Sequence, residues 1–278
     1  MKKTLSLSAI GCLLLLSTSA QTFRTPSPSV PQFIRQDFGL STIELSYSRP
    51  GIKGRKIFGD LVPYDKVWRT GANQATTITF GDTVTVASVT IAPGKYGLLS
   101  IPGAEEWTFI ITRQTDVTNP AAYKQDQDIV RVHASPHTLP FSVETLTLEF
   151  SNVTGNSCNL DLLWDNLAVG FPISTNTDAK VMAQIGNTMN KDNHPYYQAA
   201  FYYLENGKDL SKALEWFDKA IAQDPTAYFA VYQKARCLAK LGRKQEAITT
   251  AQKSMDLAKQ ANNNDYVVLN QKLIASLQ

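Results

Sequence analysis

Six cations, Arg49, Lys53, Arg55, Lys56, Lys66 and Arg69, are the most chemically suggestive residues in this 278-residue sequence. They fall in one segment, RPGIKGRKIFGDLVPYDKVWRTGANQAT, residues 49–76. Residues 21–172 hold twelve basic and fourteen acidic side chains, so half of the region's positive charge sits in one stretch of an otherwise acidic region. Arginine forks suit carboxylate, sulfate and phosphate groups. The interspersed Gly51, Gly54, Gly59 and Gly71 permit backbone shapes that cradle an anion. The expected ligand site is therefore Arg49, Lys53, Arg55, Lys56, Trp68 and Arg69, with Asn73 orienting an anionic or saccharide ligand. The competing expectation is structural: the arginines tie the segment down through carbonyls and through carboxylates such as Asp60 and Asp65.

Other constellations carry less. His133 and His137 are four apart, but Pro136 intervenes in a strand-like context, so they need not share a face. Glu105 and Glu106 are adjacent and would point to opposite sides of a strand. The sequence has no G-x-S-x-G, H-E-x-x-H, P-loop or dinucleotide-binding glycine pattern. Neither a metal nor an organic cofactor is expected. Carboxylate pairs assembled across strands are invisible to linear spacing, so a glycoside hydrolase stays open.

Composition and the N-terminus bound the compartment. The chain is 43% hydrophobic and 18% charged, as in ordinary globular proteins. Residues 1–20 read as a signal peptide: Lys2 and Lys3, an apolar stretch ending in Leu13–Leu16, then small residues before Gln21. Cys12 has only loose lipobox surroundings, because four leucines follow it. Without Lys2 and Lys3 the charges are 25 positive and 24 negative, which argues against a nucleic-acid binder. No later apolar run reaches the ~20 residues of a spanning helix. The expectation is a soluble protein, exported to the periplasm or beyond, with no membrane span after cleavage. Cys158 and Cys237 fall in separate regions and are expected to pack as small hydrophobes.

From Phe33 to about Ile173 the hydrophobic period is two. Ile43–Tyr47, Thr77–Phe80, Thr83–Val86, Trp107–Ile111, Leu146–Phe150 and Leu160–Trp164 read as strands separated by glycine and proline turns. About eight or nine strands without a long helix predict an antiparallel, jelly-roll-like β-sandwich over 21–173. The strings SRPGIKGRKIFGDLVPYDKVWRTGANQATTITF, PGKYGLLSIPG and EEWTFIIT resemble the secreted bacterial family catalogued as domain of unknown function 2911, over about residues 27–172. That resemblance implies export and domain bounds, not an activity. It places the family's signature on the same basic segment.

Over 174–278 the period becomes helical. Ala213, Phe217, Ala220 and Pro225 resemble the second helix and closing proline of a tetratricopeptide (TPR) repeat, and Ala247 follows Ala213 by 34 residues. Gly207 and Gly242 are expected to end first helices, and Asp209 to start a second. A helix over 178–190 precedes the array and one over 265–277 closes it. The resemblance puts Gln198, Tyr202, Glu205, Phe229, Tyr232, Arg236 and Lys240 on the groove that would take a protein or peptide partner.

The fold expected is thus multi-domain, β then α: a β-sandwich followed by a TPR-like array of helical hairpins. The function expected is exported, non-catalytic binding or scaffolding. A hydrolase acting on an anionic or saccharide substrate at the 49–76 segment and a purely structural envelope component are the alternatives.

Overall fold

The computed structural model describes residues 25–191 and 194–278. The expected leader, Cys12 and the junction before Gln21 lie outside them. Two compact units divide at Asn176/Thr177, slightly past the expected boundary because the last strand continues to Ser174.

The first unit contains β1 (Val30–Phe38), β2 (Ser41–Arg49), β3 (Thr77–Phe80), β4 (Val84–Val86) and β5 (Val89–Ile91). It continues with β6 (Gly94–Ile101), β7 (Trp107–Thr112), β8 (Asp128–Ala134), β9 (His137–Ser151) and β10 (Ser157–Ser174). Every pairing is antiparallel. One sheet runs β1-β2-β3-β6-β7-β8 and the other β5-β4-β10-β9. A jelly roll winds its strands into two Greek keys. Here chain neighbours mostly pair as a meander, and the hairpins β4–β5 and β9–β10 supply the second sheet.

The core follows from alternation. Ile43, Leu45 and Tyr47 of β2 and Trp107, Phe109 and Ile111 of β7 turn inward, meeting Leu146 and Leu148 of β9 and Leu160, Leu162 and Trp164 of β10. Each such large side chain contributes about 1.5–3 kcal/mol on burial. β10 changes parity part-way. Its inward residues are even-numbered through Trp164, then Val169, Phe171 and Ile173. Register shifts on both sides of Asp165, whose φ is 53°, mark an irregularity at which β9 carries the surplus residues and β10 changes face. Without it one half of the strand would present its apolar set to water.

The second unit holds α1 (Asp178–Thr188), α2 (Tyr196–Glu205), α3 (Leu210–Gln223), α4 (Tyr228–Lys240), α5 (Lys244–Gln260) and α6 (Asn264–Leu277). α2 packs on α3, α4 on α5, and α5 on α6. Gly207 (φ 64°) and Gly242 (φ 75°) end α2 and α4 in the left-handed region. An added Cβ would meet nothing within 4 Å at either position, so glycine is needed for its backbone freedom rather than for space. Asp209 caps α3 by accepting from the Ser211 and Lys212 amides. No helix among the described residues is long and apolar enough to cross a membrane. Cys158 and Cys237 are buried and unbridged.

Candidate functional site

Between β2 and β3 the chain spans residues 50–76 without regular strand or helix, yet it is firmly held. Leu146 donates its amide to Pro50 O (2.9 Å), and the Ile52 amide donates to Glu144 O (2.8 Å). Trp68 and Ser100 exchange both backbone bonds (2.7 and 2.9 Å). Ile57 and Val62 enter the sandwich core with 1% and 3% exposure. Loops of this length in compact domains earn their stability from such internal packing and tend to be functional. This one closes an end of the sandwich and is also the wall of a cavity.

The arginines are oriented by main-chain carbonyls. Arg49 donates through Nε to Leu146 O (2.9 Å) and through a terminal nitrogen to Thr147 Oγ1 (2.8 Å), clamping β2 to β9. Arg55 donates to Ile52 O (3.0 Å) and Gly51 O (2.6 Å). Arg69 donates to Asn73 O (3.1 Å) and, by a very short bond, to Thr118 O, joining its own segment to the one after β7. Among the described residues none of the six cations lies within ion-pair distance of a carboxylate. The expected partners Asp60 and Asp65 play no such part. Arg55 and Arg69 each retain unused N–H donors, since a guanidinium has five.

These bonds require unusual backbone. Lys53, Gly54, Gly59, Asp65, Thr70 and Asn73 all have φ between 49° and 80°. Thr70 is the notable case: β-branched, fully buried, at φ 54°. Such a conformation costs on the order of 1–3 kcal/mol and persists only where the surroundings enforce it. Thr70 Oγ1 donates to Ser100 Oγ (2.9 Å), and its carbonyl accepts from Thr76 Oγ1 (3.0 Å). The strained residue holds Arg69 and Gly71 on either side of it at the cavity wall.

The cavity measures about 350 Å³. Its charged lining is Arg55, Lys66 and Arg69, with no Asp or Glu among the described lining residues. Pro50, Pro63 and Pro120 provide rigid walls, and Leu61, Val62 and Val67 add aliphatic surface. Trp68 and Trp164 complete the lining, their rings stacked at 5.9 Å and 16°. Behind them Phe58 stands edge-on to Trp107 (5.2 Å) and Trp164 (6.0 Å). The Pro120 wall belongs to the 113–127 segment, which Val117 and Tyr123 anchor to Leu99 and Ile110 on the outer face of the first sheet. Tyr123 donates to Asp128 (2.5 Å), and burial, followed by that bond, pushes its phenol up to about 12.

The geometry sorts the expected site residues. Arg55, Trp68 and Arg69 come together in the cavity lining, joined by Lys66, which sequence reasoning placed in the basic segment without assigning it a site role. Arg49 is an inter-sheet clamp, and with Lys53 it borders a separate shallow depression beside Glu144. Lys56 is exposed and lines neither. Asn73 donates to Ser27 Oγ (3.3 Å) and Ser29 O (3.2 Å), holding the incoming chain instead of facing a ligand. Trp164, Pro120 and Ser29 escape sequence reasoning because they lie far along the chain; a tryptophan closing an alternating run just before Asp165-Asn166 is the one local sign.

A family model described as "Protein of unknown function (DUF2911)" matches residues 29–173, more than half of the chain and all of the cavity's lining residues. The chain belongs to the DUF2911 family. No curated protein and no solved structure matches it. Within the DUF2911 domain, His133 Nδ1 on β8 meets Oε1 of Glu106, just before β7 (2.9 Å), both side chains exposed. His137 lies at the start of β9, and the described residues contain no group of three metal-ligating side chains.

In the helical unit the residues expected to face a partner mostly link alternate helices, α2 with α4 and α4 with α6. Arg236 pairs with Glu205 (2.7 Å) and also donates to Gln233 (2.8 Å). Lys240 donates to Leu204 O (3.0 Å), near the end of α2. Tyr202 donates to Asp178 (2.8 Å), and burial, then that bond, raises its phenol to about 12. Phe229 packs edge-on to Tyr197 (5.0 Å) and Tyr232 to Tyr266 (5.6 Å). Gln198 lines shallow depressions on either side of Pro195.

Proposed function

We propose that this protein is an exported binding protein whose DUF2911 domain holds a small anionic ligand in the cavity between the 49–76 and 113–127 segments. One observation carries the reading: three cations line a concave site with no carboxylate among its described lining residues to neutralise them. Two of the three are arginines already oriented by carbonyls, so a ligand would meet donors with little orientational freedom left to lose. A hydrolase at the same place would need a general acid, base or nucleophile in reach of substrate. Ser29 supplies the only side-chain hydroxyl among the described lining residues, and no His, Cys, Asp or Glu accompanies it, so binding is the better-supported reading.

The helical unit reads as a TPR-like array that docks a protein or peptide partner. Ala213 and Ala247, 34 residues apart in α3 and α5, are both fully buried, as the repeat requires. Ring contacts linking Tyr197, Phe229, Tyr228 and Tyr266 across α2, α4 and α6 give the first helices a common aromatic face. The leader reading of residues 1–20 supports export to the periplasm or outside the cell.

The test of the cavity is a thermal-shift and calorimetric screen of inorganic and organic anions at low salt. Anions should raise the melting temperature of the wild type and lose most of that effect in Lys66→Glu. Lys66 is exposed and makes no bond among the described residues, so the ligand-free melting temperature should hold. A screen in which no anion binds would end this reading.

A further inference from the structure

The cavity's composition says what must be attached to the anion. Among its described lining residues, polar side chains other than the three cations reduce to Ser29. A saccharide presents hydroxyls that donate as well as accept. Sites that hold sugars answer with carboxylates and amides, and this lining has none of either. Left facing cationic donors and apolar walls, sugar hydroxyls would be desolvated without partners, a penalty that weakens binding.

The remaining surface is of a different kind. Three prolines and three aliphatic residues stand around Trp68 and Trp164, and Leu61 is 43% exposed at this site. An exposed leucine beside a half-buried indole is apolar area that a ligand would remove from water. Proline walls and the partly exposed indole of Trp68, backed by the buried Trp164, favour flat, rigid bodies. A cavity of about 350 Å³ sits near the small end of ligand pockets, roughly 300–1,000 Å³. A bare oxyanion would leave most of that apolar wall uncovered.

We propose that the ligand is an amphipathic organic acid: an aromatic or similarly flat apolar body bearing a single carboxylate or sulfonate. This rests on reading the cavity as an anion site and narrows the ligand's class. The acid group meets Arg55, Lys66 and Arg69, while the body lies against Trp68, Leu61, Pro63 and Pro120. Uronic acids and sulfated sugars carry the charge but lack the body, and neutral aryl alcohols carry the body but lack the charge.

Calorimetric titration of the purified protein with a matched series tests this: sodium sulfate, glucuronate, benzoate, 2-naphthoate and neutral 2-naphthalenemethanol. Affinity should rise from sulfate and glucuronate through benzoate to 2-naphthoate by about tenfold or more, from added apolar burial. The neutral alcohol should bind at least about tenfold more weakly than 2-naphthoate, from loss of the charge-assisted bonds. Lys66→Glu should weaken 2-naphthoate severalfold. If sulfate or glucuronate binds as tightly as 2-naphthoate, the amphipathic assignment is overturned while the anion site stands. If the alcohol matches the acid, the charge requirement falls. Absence of binding across the whole series overturns both.

Discussion

The cations of the 49–76 segment and those of the helical unit are similar in type and differ in what they touch. In the helices Lys208 meets Asp178, Lys212 and Lys219 share Glu215, Lys234 meets Asp218, Arg236 meets Glu205, and Arg243 meets Glu246, all at 2.5–2.8 Å. In the segment the arginines meet carbonyls, and no described carboxylate is in ion-pair range. A carbonyl orients a guanidinium without cancelling its charge. A carboxylate cancels the charge and, at an exposed site, adds little stability. Two regions that both carry several cations therefore differ in the net field they offer a ligand.

The largest effect that would test this contrast is at Arg49. Replacing it with Ala removes both clamp bonds and leaves Leu146 O short of a donor at a half-buried site. The expected loss is about 1–3 kcal/mol, measured by urea unfolding of the full chain. A loss near zero would mean that carbonyl-bonded arginines here are ornaments, and the contrast would fail.

A second effect lies on the acid side and belongs to the helices. Bonds from Lys212, then Lys219, hold the Glu215 carboxyl down to about 2, from an ordinary 4.5. Lys208 lowers Asp178, and Arg243 lowers Glu246. A carboxyl depressed in the folded state contributes stability above its unfolded value and loses it as pH falls through the folded one. Helical melting followed at 222 nm should therefore decline between about pH 4.5 and 2. Glu215→Gln should remove part of that decline; an unchanged acid profile would show that these pairs are too screened to matter.

The smallest effect should come from Arg236→Ala. Its pair with Glu205 is partly exposed, so stability should change by only ~0–1 kcal/mol in denaturant unfolding. A loss as large as that of Arg49 would erase the distinction between the two regions.

Much of this arrangement was legible in the sequence, and the limits were physical. Period-two runs marked the strands that form the core, and Ala213 and Ala247 marked two helices whose small residues are indeed fully buried. Pairs three or four apart on a helix, such as Arg243 with Glu246, follow from geometry alone. Arg236 with Glu205 does not, because 31 residues separate them. The basic segment drew notice by composition, yet its division of labour did not. Arg49 turned to Thr147, and Asn73 turned to Ser29, because tertiary partners lie far along the chain. β5, three residues long, is too short to show a period. The parity change at Asp165 depends on an irregularity in the pairing with β9, which alternation alone does not announce.

The cavity also bears on how such a domain is passed on between proteins. Its lining begins at Ser29, the residue where the family segment starts, and draws Trp164 from the last strand before that segment ends at Ile173. Between them come the 49–76 segment and Pro120. No shorter module contains the site: a recombination that exchanged only the basic segment would carry off the cations and Trp68 and leave Trp164 behind. Among the described residues the helical unit contributes none to the lining. A module that carried the cavity whole would have to span the sandwich from Ser29 to at least Trp164.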